Sequence, residues 1–282
     1  MKKILVPCDF SATAVEAFKF AQTLAAKSRG EIHVLHMIDT AVLTGSSSLA
    51  YSYSYSAKTV KDLEEKADRY FRAMEEAYAT PEIPIRLIKK MGSLVSGVEQ
   101  YAREQGVDII VMGTQGHSQF GVGSNTGKVV RHASVPVLTI RKEPARAIRK
   151  IVVPVSAPAE EDFYDQLTGL QQFLGASLQL LWVNTPRTFR KDSDVKADLE
   201  KFARDGKLRD YTLNIRSDYS AEHGIFAFAK ETDADLIAMG THAWKGFIYL
   251  LAGSVAEDLV NHIDFPIWTF GLSNVNQPTP IA

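Results

Sequence analysis

The amino-acid sequence repeats itself once, and this repeat limits the possible folds more than any other feature. "KKILVPCDFS" in the first half returns as "RKIVVPVSAP" in the second, and "VDIIVMGTQG" returns as "ADLIAMGTHA". "GSNTGKVVRHASVPVLTI" returns as "GSVAEDLVNHIDFPIWTF". Three blocks that recur in the same order predict a duplicated domain.

The length of the chain agrees with a duplication, because 282 residues are enough for two domains of about 140 residues each. A charged stretch with Pro144, "RKEPARAIRK", separates the copies and is typical of a linker. We therefore expect an N-terminal domain over residues 1–144 and a C-terminal domain over residues 145–282.

The first copy alone carries a Tyr/Ser-rich stretch, residues 42–58. We expect a polar loop or a contact to a partner chain there, with a strand or an aromatic lid as alternatives.

Within each copy, short apolar runs alternate with stretches of helical periodicity. The runs of the first copy are "ILV", "IHVLHMI", "IRLI", "DIIVM" and "VPVLTI". Such runs are typical of a parallel sheet that is covered on both faces. The predicted fold class is α/β: two tandem domains, each a Rossmann-like α/β/α sandwich with a five-stranded parallel sheet.

Ligands of such sheets bind beyond the carboxyl ends of the strands, where the strand order reverses. Two features of the first copy lie at strand ends and can face this crevice. Asp9 follows the first strand directly, and the glycine-rich segment "MGTQGHSQFGVGSN" (residues 112–125) follows the fourth.

Two familiar phosphate-binding motifs do not fit the glycine-rich segment. A Walker A loop needs glycine at the position of Val122 and Ser or Thr at the position of Val129. The spacing G-x-G-x-x-G is missed by one residue and does not follow a strand directly.

A split phosphate cradle fits the segment better. Gly113 and Gly116 let the chain leave the strand with no Cβ atom in the way of a ligand. Gly123 and Ser124 then open a helix, whose free N–H groups and positive dipole end suit a phosphate. Ser124 is either a phosphate donor or only an N-cap, and the local pattern leaves both readings open.

Four stretches together, "ILVPCDFS", "VLHMID", "DIIVMGTQG" and "GSNTGKVVRHASVPVLTI", resemble the universal stress protein (UspA) family in its tandem two-domain form. The resemblance implies an adenine nucleotide alpha hydrolase-like fold and a role in the stress response. It also implies ATP, with or without magnesium, at a G-x2-G-x9-G-(S/T) motif. The implied nucleotide-binding residues are Pro7, Asp9, Met37, Ile38, Met112, Gly113, Gly116, Gly123, Ser124 and Asn125.

The resemblance also implies a role for each group of these residues. Asp9 would contact the ribose, while Pro7 and the backbone near residues 37–38 would border the adenine. Residues 112–113 would lie under the sugar. The remaining four residues would wrap the phosphates.

Both copies depart from the family motif. Six residues separate Gly116 from Gly123, where the family has nine. The second copy keeps nine but has Ala243 in place of the second glycine and Ser156 in place of Asp9. A methyl group obstructs a close approach of phosphate to backbone, and serine lacks the two acceptors of a carboxylate. We therefore expect ATP in the N-terminal domain and no cofactor in the C-terminal domain.

No catalytic or metal-binding residues are assigned, because no general base, nucleophile or metal triad stands out. The leading function is a nucleotide-binding regulatory module, with a nucleotide-free interaction protein and a slow ATPase as alternatives. A packing or helix-surface role is favoured for His132 and His262, and a phosphate contact is an alternative reading for His117. Cys8 is expected to be a small buried residue and not a redox centre.

Charge and the lengths of the apolar runs indicate which binding partners and which cellular location to expect. The formal net charge is −1 and the isoelectric point about 6.7, so no nucleic-acid or membrane partner is expected. No apolar run approaches the length of a membrane span, and a cytoplasmic location is expected. Because exposed sheet edges tend to be paired, we expect an internal pseudo-dimer of the two domains through their fifth strands, and a homodimer.

Overall fold

The computed structural model describes residues 1–38, 52–114, 124–141, 147–155, 161–240 and 265–271. These residues fall into two compact units, one drawn from Met1–Ala147 and Gly246–Trp268, the other from Ile148–Lys245 and Thr269–Ala282. In the described part of the chain, no helix combines the length and the apolar character that crossing a membrane requires.

The first unit alternates strands and helices along the chain. Its elements are β1 (Lys3–Pro7), α1 (Ala12–Ser28), β2 (Glu31–Ile38), α2 (Ser52–Tyr78), β3 (Ile85–Met91), α3 (Leu94–Gln105), β4 (Ile109–Gly113), α4 (Ser124–His132) and β5 (Val137–Ile140). The strand order is β3-β2-β1-β4-β5, and every pairing is parallel. The order therefore reverses between β1 and β4, which makes the carboxyl ends of these two strands the expected place for a ligand.

The second unit repeats the pattern. Its elements are β6 (Lys150–Pro154), α5 (Glu161–Leu174), β7 (Ser177–Asn184), α6 (Asp192–Asp205), β8 (Tyr211–Ser217), α7 (Ala221–Glu231), β9 (Leu236–Gly240) and, from Thr269 onward, β10 (Ile267–Phe270). The strand order is β10-β9-β6-β7-β8. The predicted α/β fold with two tandem copies is confirmed, and the strands of each copy follow the same order.

The core of the first unit follows from the apolar runs. Buried side chains of β1, β2 and β4 pack against one face of α3 and α4, with Leu5, Leu35 and Ile110 at the centre of this cluster. Each of these three residues is fully buried. Burial on both faces explains why the strands have continuous and not alternating apolar sequences.

The two ends of α1 are fixed by different residues. Ser11 caps the start, because its hydroxyl accepts a hydrogen bond from the backbone N–H of Ala14. At the other end the left-handed residue is Arg29, with φ of 52°, and not the glycine that follows it. Gly30 is needed for space, since a Cβ there would lie 2.5 Å from the carbonyl oxygen of Lys2.

The expected loop over residues 42–58 is wrong from Ser52 onward, because α2 begins at that residue. Residues 42–51 lie outside the described part of the chain. The sequence between Ser46 and Thr80 contains neither glycine nor proline, so no residue stops the helix from extending toward its N-terminus.

Candidate functional site

The candidate site lies where β1 and β4 end side by side. Ile4 pairs with Ile109 and Leu5 with Ile110 in a parallel register, so the two strands reach the same edge of the sheet. Each strand leads toward the start of a helix, α1 after β1 and α4 after β4. The edge therefore combines two strand ends with two helix N-termini, whose free N–H groups favour an anion.

Gly113, the last residue of β4, lies directly against the first turn of α1. A Cβ at this position would lie 2.7 Å from both the carbonyl carbon and the carbonyl oxygen of Thr13, and 2.8 Å from its hydroxyl oxygen. No side chain fits at that distance from backbone. Glycine at position 113 is thus required by the protein's own helix, whether or not a ligand also lies nearby.

Thr126 joins the other helix to the same residue. Its hydroxyl donates a hydrogen bond of 3.1 Å to the carbonyl oxygen of Gly113, and the residue is buried. The first turn of α4 is thereby held at the end of β4. Gly113 accordingly contacts the first turns of both helices, one through Thr13 and one through Thr126.

Asp9 lies on the connection between β1 and α1, and it is exposed. Its Oδ1 accepts a hydrogen bond of 3.0 Å from the backbone N–H of Ser11, which shapes the turn before the helix. Phe10, between them, has a φ of 60°, a conformation that a bulky side chain rarely adopts. The connection is held in a strained form that presents the carboxylate at the sheet edge.

An aromatic group borders this turn on the side of β2. The ring of Phe10 lies 5.0 Å from that of His36 and 5.7 Å from that of Tyr70, measured between centroids. His36 donates from Nδ1 to the carbonyl oxygen of Cys8 at 2.8 Å. These contacts fix the strained residue from outside and offset part of its backbone cost.

Cys8 is buried, as the sequence indicated. Burial raises the pKa of its thiol to about 12. A thiol in this state is not a nucleophile at neutral pH, because only the thiolate reacts.

The other predicted site residues differ in how far their side chains are buried. Pro7, Ile38 and Met112 are buried, so they can offer a ligand only their backbone or the edge of a side chain. Met37 is half-buried and packs on α3 at Gly97, where a Cβ would lie 2.5 Å from its Cε.

On the α4 side, Ser124 begins the helix and Asn125 is exposed. Gly116, Gly123 and His117 lie outside the described residues. His132 is on the helix surface, where it was predicted, with Nδ1 2.8 Å from the carbonyl oxygen of Lys128.

The matching edge of the second unit has a different construction. Asn184, the last residue of β7, takes the place of Ile38 and is buried. Its Oδ1 accepts from Trp182 Nε1 and from the backbone N–H of Arg190, each at 3.0 Å, while its Nδ2 donates to the Arg190 carbonyl at 3.0 Å. The Arg190 guanidinium carbon lies 5.1 Å from the centroid of the Trp182 ring. The segment that follows β7 is therefore tied back to the strand end.

Sequence reasoning missed Thr13, Thr126 and Asn184. The first two each lie two residues after a serine at a helix start, a place where hydroxyl side chains commonly bond to nearby backbone. That pattern alone does not reveal that both threonines meet the same glycine. Among the described residues, no three His, Cys, Asp or Glu side chains group as a metal ion would need.

The family model that describes the universal stress protein family matches residues 1–141 and again residues 147–270. The chain belongs to the universal stress protein family. Its two matched segments confirm the tandem form that the repeat predicted.

Relatives span one copy or both. Universal stress protein Slr1230 of Synechocystis is 24% identical over 296 residues, which cover 96% of this chain and 100% of that protein. Universal stress protein G of Shigella flexneri is 30% identical over 146 residues, 50% of this chain and 99% of the relative. A crystal structure of a universal stress protein from Archaeoglobus fulgidus superposes with a TM-score of 0.65 at 18% identity, covering 95% of this chain and 96% of that one. This last likeness is one of fold.

Proposed function

We propose that this universal stress protein is a regulatory module that binds an adenine nucleotide, ATP in particular, in its first unit. The observation that supports the proposal best is the junction at Gly113. There the first turns of α1 and α4 both meet the end of β4, beside the end of β1. Two helix N-termini at a point of strand reversal form an environment that favours a phosphate chain.

Each proposed contact uses a group that is suited to it. The exposed carboxylate of Asp9 accepts hydrogen bonds from the ribose hydroxyl groups. The backbone of Pro7 and of residues 37–38 borders the adenine, and residues 112–113 lie under the sugar. Gly116, Gly123, Ser124 and Asn125 bind the phosphates through the N–H groups at the start of α4. Magnesium, if bound, neutralises phosphate charge.

We propose further that the second unit binds no nucleotide. At the place where the first unit would border adenine, Asn184 uses its side-chain amide to hold Trp182 and the following segment. The side-chain amide of Asn184 is thus engaged with the protein itself. The sequence adds Ser156 and Ala243 at the two positions where the first copy has Asp9 and Gly116.

The experiment is isothermal titration of the intact protein with ATP, with native mass spectrometry to count the bound molecules. We expect one molecule per chain. Asp9→Ala removes charge-assisted hydrogen bonds and should weaken binding by about tenfold to 100-fold. Ser156→Ala changes the matching position of the second copy and should leave the affinity unchanged.

Two outcomes would overturn the proposal. One is an Asp9→Ala variant that binds ATP as tightly as the unaltered protein. The other is a stoichiometry of two equivalent sites. The domain boundary at residues 144–145, the cytoplasmic location, the internal pseudo-dimer and the homodimer stay predictions, and slow hydrolysis of ATP stays an alternative.

A further inference from the structure

A buried carboxylate and an exposed imidazole form a close pair in the second unit, at the end of the strand that pairs with β7. Asp218 directly follows β8, and His223 lies in the first turn of α7. Nδ1 of His223 lies 2.7 Å from Oδ1 of Asp218. The carboxylate is 7% exposed and the imidazole side chain 54% exposed.

Asp218 is held as a carboxylate by several donors. Burial opposes its ionisation, but hydrogen bonds from the backbone N–H of Tyr219, from His223 and from Arg216 outweigh this effect and lower the pKa of Asp218. The Tyr219 bond is 2.8 Å and the Arg216 Nε bond 3.3 Å. Arg216 is itself anchored to Glu231 through Nη1, at 2.6 Å.

This arrangement fixes the chemistry of the imidazole. A carboxylate at Nδ1 holds the proton on that nitrogen and leaves the lone pair of the neutral ring on Nε2. Among the residues that the structure describes, none forms a hydrogen bond with Nε2. The pair therefore presents an oriented, solvent-facing nitrogen nucleophile, with a fixed negative charge behind it.

The first unit has a related strand-to-helix connection that lacks this pair. Gly92 occupies the place of Asp218: its N–H donates to the Ile38 carbonyl at 3.1 Å, as that of Asp218 donates to the Asn184 carbonyl at 2.9 Å. A serine N-cap follows in each unit, bonded to the N–H three residues later. That residue is Ser96 in the first unit and His223 in the second. The first-unit connection is one residue shorter, because Ser93 follows Gly92 directly whereas Tyr219 separates Asp218 from Ser220. A serine cap of the next helix therefore forms there without an Asp–His pair beside it.

We propose that the Asp218–His223 pair is a phosphoryl-acceptor site, at which Nε2 of His223 takes a phosphoryl group from a small phosphoramidate donor. The Nε2 lone pair forms a bond to phosphorus, and the nitrogen–phosphorus bond of the N-protonated donor breaks. Ammonia leaves with the electron pair of that bond. Nδ1 keeps its proton, and no oxidant or reductant is involved.

The neighbouring groups favour this transfer. As Nε2 bonds to phosphorus the ring gains positive charge, which the carboxylate of Asp218 stabilises from the opposite side. The added phosphoryl group is negative, and it is attached to the first turn of α7, where the helix dipole favours negative charge. Asp218 acts here as a positioning residue, and His223 is the residue that reacts.

The test uses the full chain and potassium phosphoramidate near neutral pH, with acid-labile phosphorylation located by peptide mass spectrometry. His132 is a matched control within the same molecule. It is also exposed with Nδ1 hydrogen-bonded, but to a neutral carbonyl oxygen. We expect His223 to be labelled at least about tenfold faster than His132, the size of effect typical of a carboxylate partner.

Two variants separate the chemistry from folding. His223→Gln should remove the labelled peptide. Asp218→Asn keeps the shape and an acceptor for Nδ1–H but removes the charge, so labelling of His223 should slow to the rate of His132 while the circular dichroism spectrum is unchanged. A purely structural role would leave an exposed histidine that still reacts at its original rate.

The proposal is overturned if His132 is labelled as fast as His223 in the unaltered protein, or if His223 is not labelled. This comparison needs no variant, so it decides the matter even if Asp218→Asn does not fold. It is also independent of the nucleotide proposal, because Asp218 and His223 both belong to the second unit.

Discussion

The hydroxyl group of Thr126 donates a hydrogen bond of 3.1 Å to the main-chain carbonyl of Gly113, and this bond joins the start of α4 to the end of β4. On its other side Gly113 meets the first turn of α1 at Thr13. One glycine without a side chain thereby fixes the positions of two helix N-termini. The proposed phosphate site depends on these positions, because N–H groups act on an anion only when they point toward it.

Replacing Thr126 by valine tests this link. Valine has almost the same shape but no hydroxyl, so we expect the free energy of unfolding to fall by about 1 kcal/mol. ATP binding should weaken as well, since the start of α4 is no longer held. Thr126→Ser keeps the hydroxyl and is the control. Urea denaturation and calorimetry of the two variants check the prediction, and equal behaviour of valine and serine would contradict it.

A methyl group at Gly113 should lower the free energy of unfolding far more than one at Gly240, the glycine that ends the corresponding strand of the second unit. In Gly113→Ala the Cβ would lie 2.7 Å from backbone atoms of Thr13. In Gly240→Ala the nearest atoms are ring carbons of Phe163 at 3.5 Å, an ordinary contact.

We expect Gly113→Ala to cost about 1–3 kcal/mol, the usual range for overpacking, and Gly240→Ala to cost clearly less. Thermal denaturation of both variants compares them directly. If Gly240→Ala proved the more destabilising of the two, the close approach of α1 to β4 would not be the reason for glycine at position 113.

The strands of the first unit could be predicted from the sequence because a buried parallel strand consists of consecutive apolar residues. "IHVLHMI" lies within β2, and "ILV" within β1. The start of α2 could not be predicted in this way. Its first residues alternate tyrosine and serine, which suggests a strand or a loop, and only the lack of glycine and proline favours a helix.

The site was predictable only in part, for a related reason. Asp9 follows a strand directly, and its position at the sheet edge depends on local sequence alone. The contact of Thr13 with Gly113 joins residues that are far apart in the chain, so it depends on how α1 packs on β4. That Gly113 keeps a Cβ atom out of the way of a ligand stays a prediction, and the close approach that the structure shows there is that of the backbone of α1.

His33 should make stability depend on pH. The ring is buried, with Nδ1 2.8 Å from the hydroxyl oxygen of Tyr101. Burial lowers the pKa of His33 below its ordinary value of 6.5, and the nearby carboxylate of Glu31 offsets only part of this effect. A lowered pKa means that the folded state binds the proton less readily than the unfolded state. The contribution of neutral His33 to the free energy of unfolding is therefore complete above about pH 6.5. It is lost as the pH falls through the lower pKa that His33 has in the folded state.

The measurement is the urea midpoint between about pH 7.5 and about pH 5, in the unaltered protein and in His33→Gln. Over this range the unaltered protein should lose stability more steeply as the pH falls. His132→Gln, at an exposed position, reports any effect of introducing glutamine. A His33→Gln variant with the same pH dependence as the unaltered protein would assign that dependence to other groups.

Asn184 should determine whether the segment after β7 is open to proteases. Its side chain makes three hydrogen bonds that hold Trp182 and Arg190, and it is buried. Asn184→Ala removes all three and leaves the Arg190 backbone groups without these partners. We expect a loss of about 1–3 kcal/mol in the free energy of unfolding. We also expect faster tryptic cleavage after Arg187 and Arg190, because local opening exposes the chain.

Asn214→Ala, at a half-buried asparagine on β8 that donates to the Leu180 carbonyl, is the matched control. If the control speeds cleavage after Arg190 as much as Asn184→Ala does, the effect comes from general loss of stability in this unit. If only Asn184→Ala does so, the bonds to Arg190 are what close this edge of the second sheet.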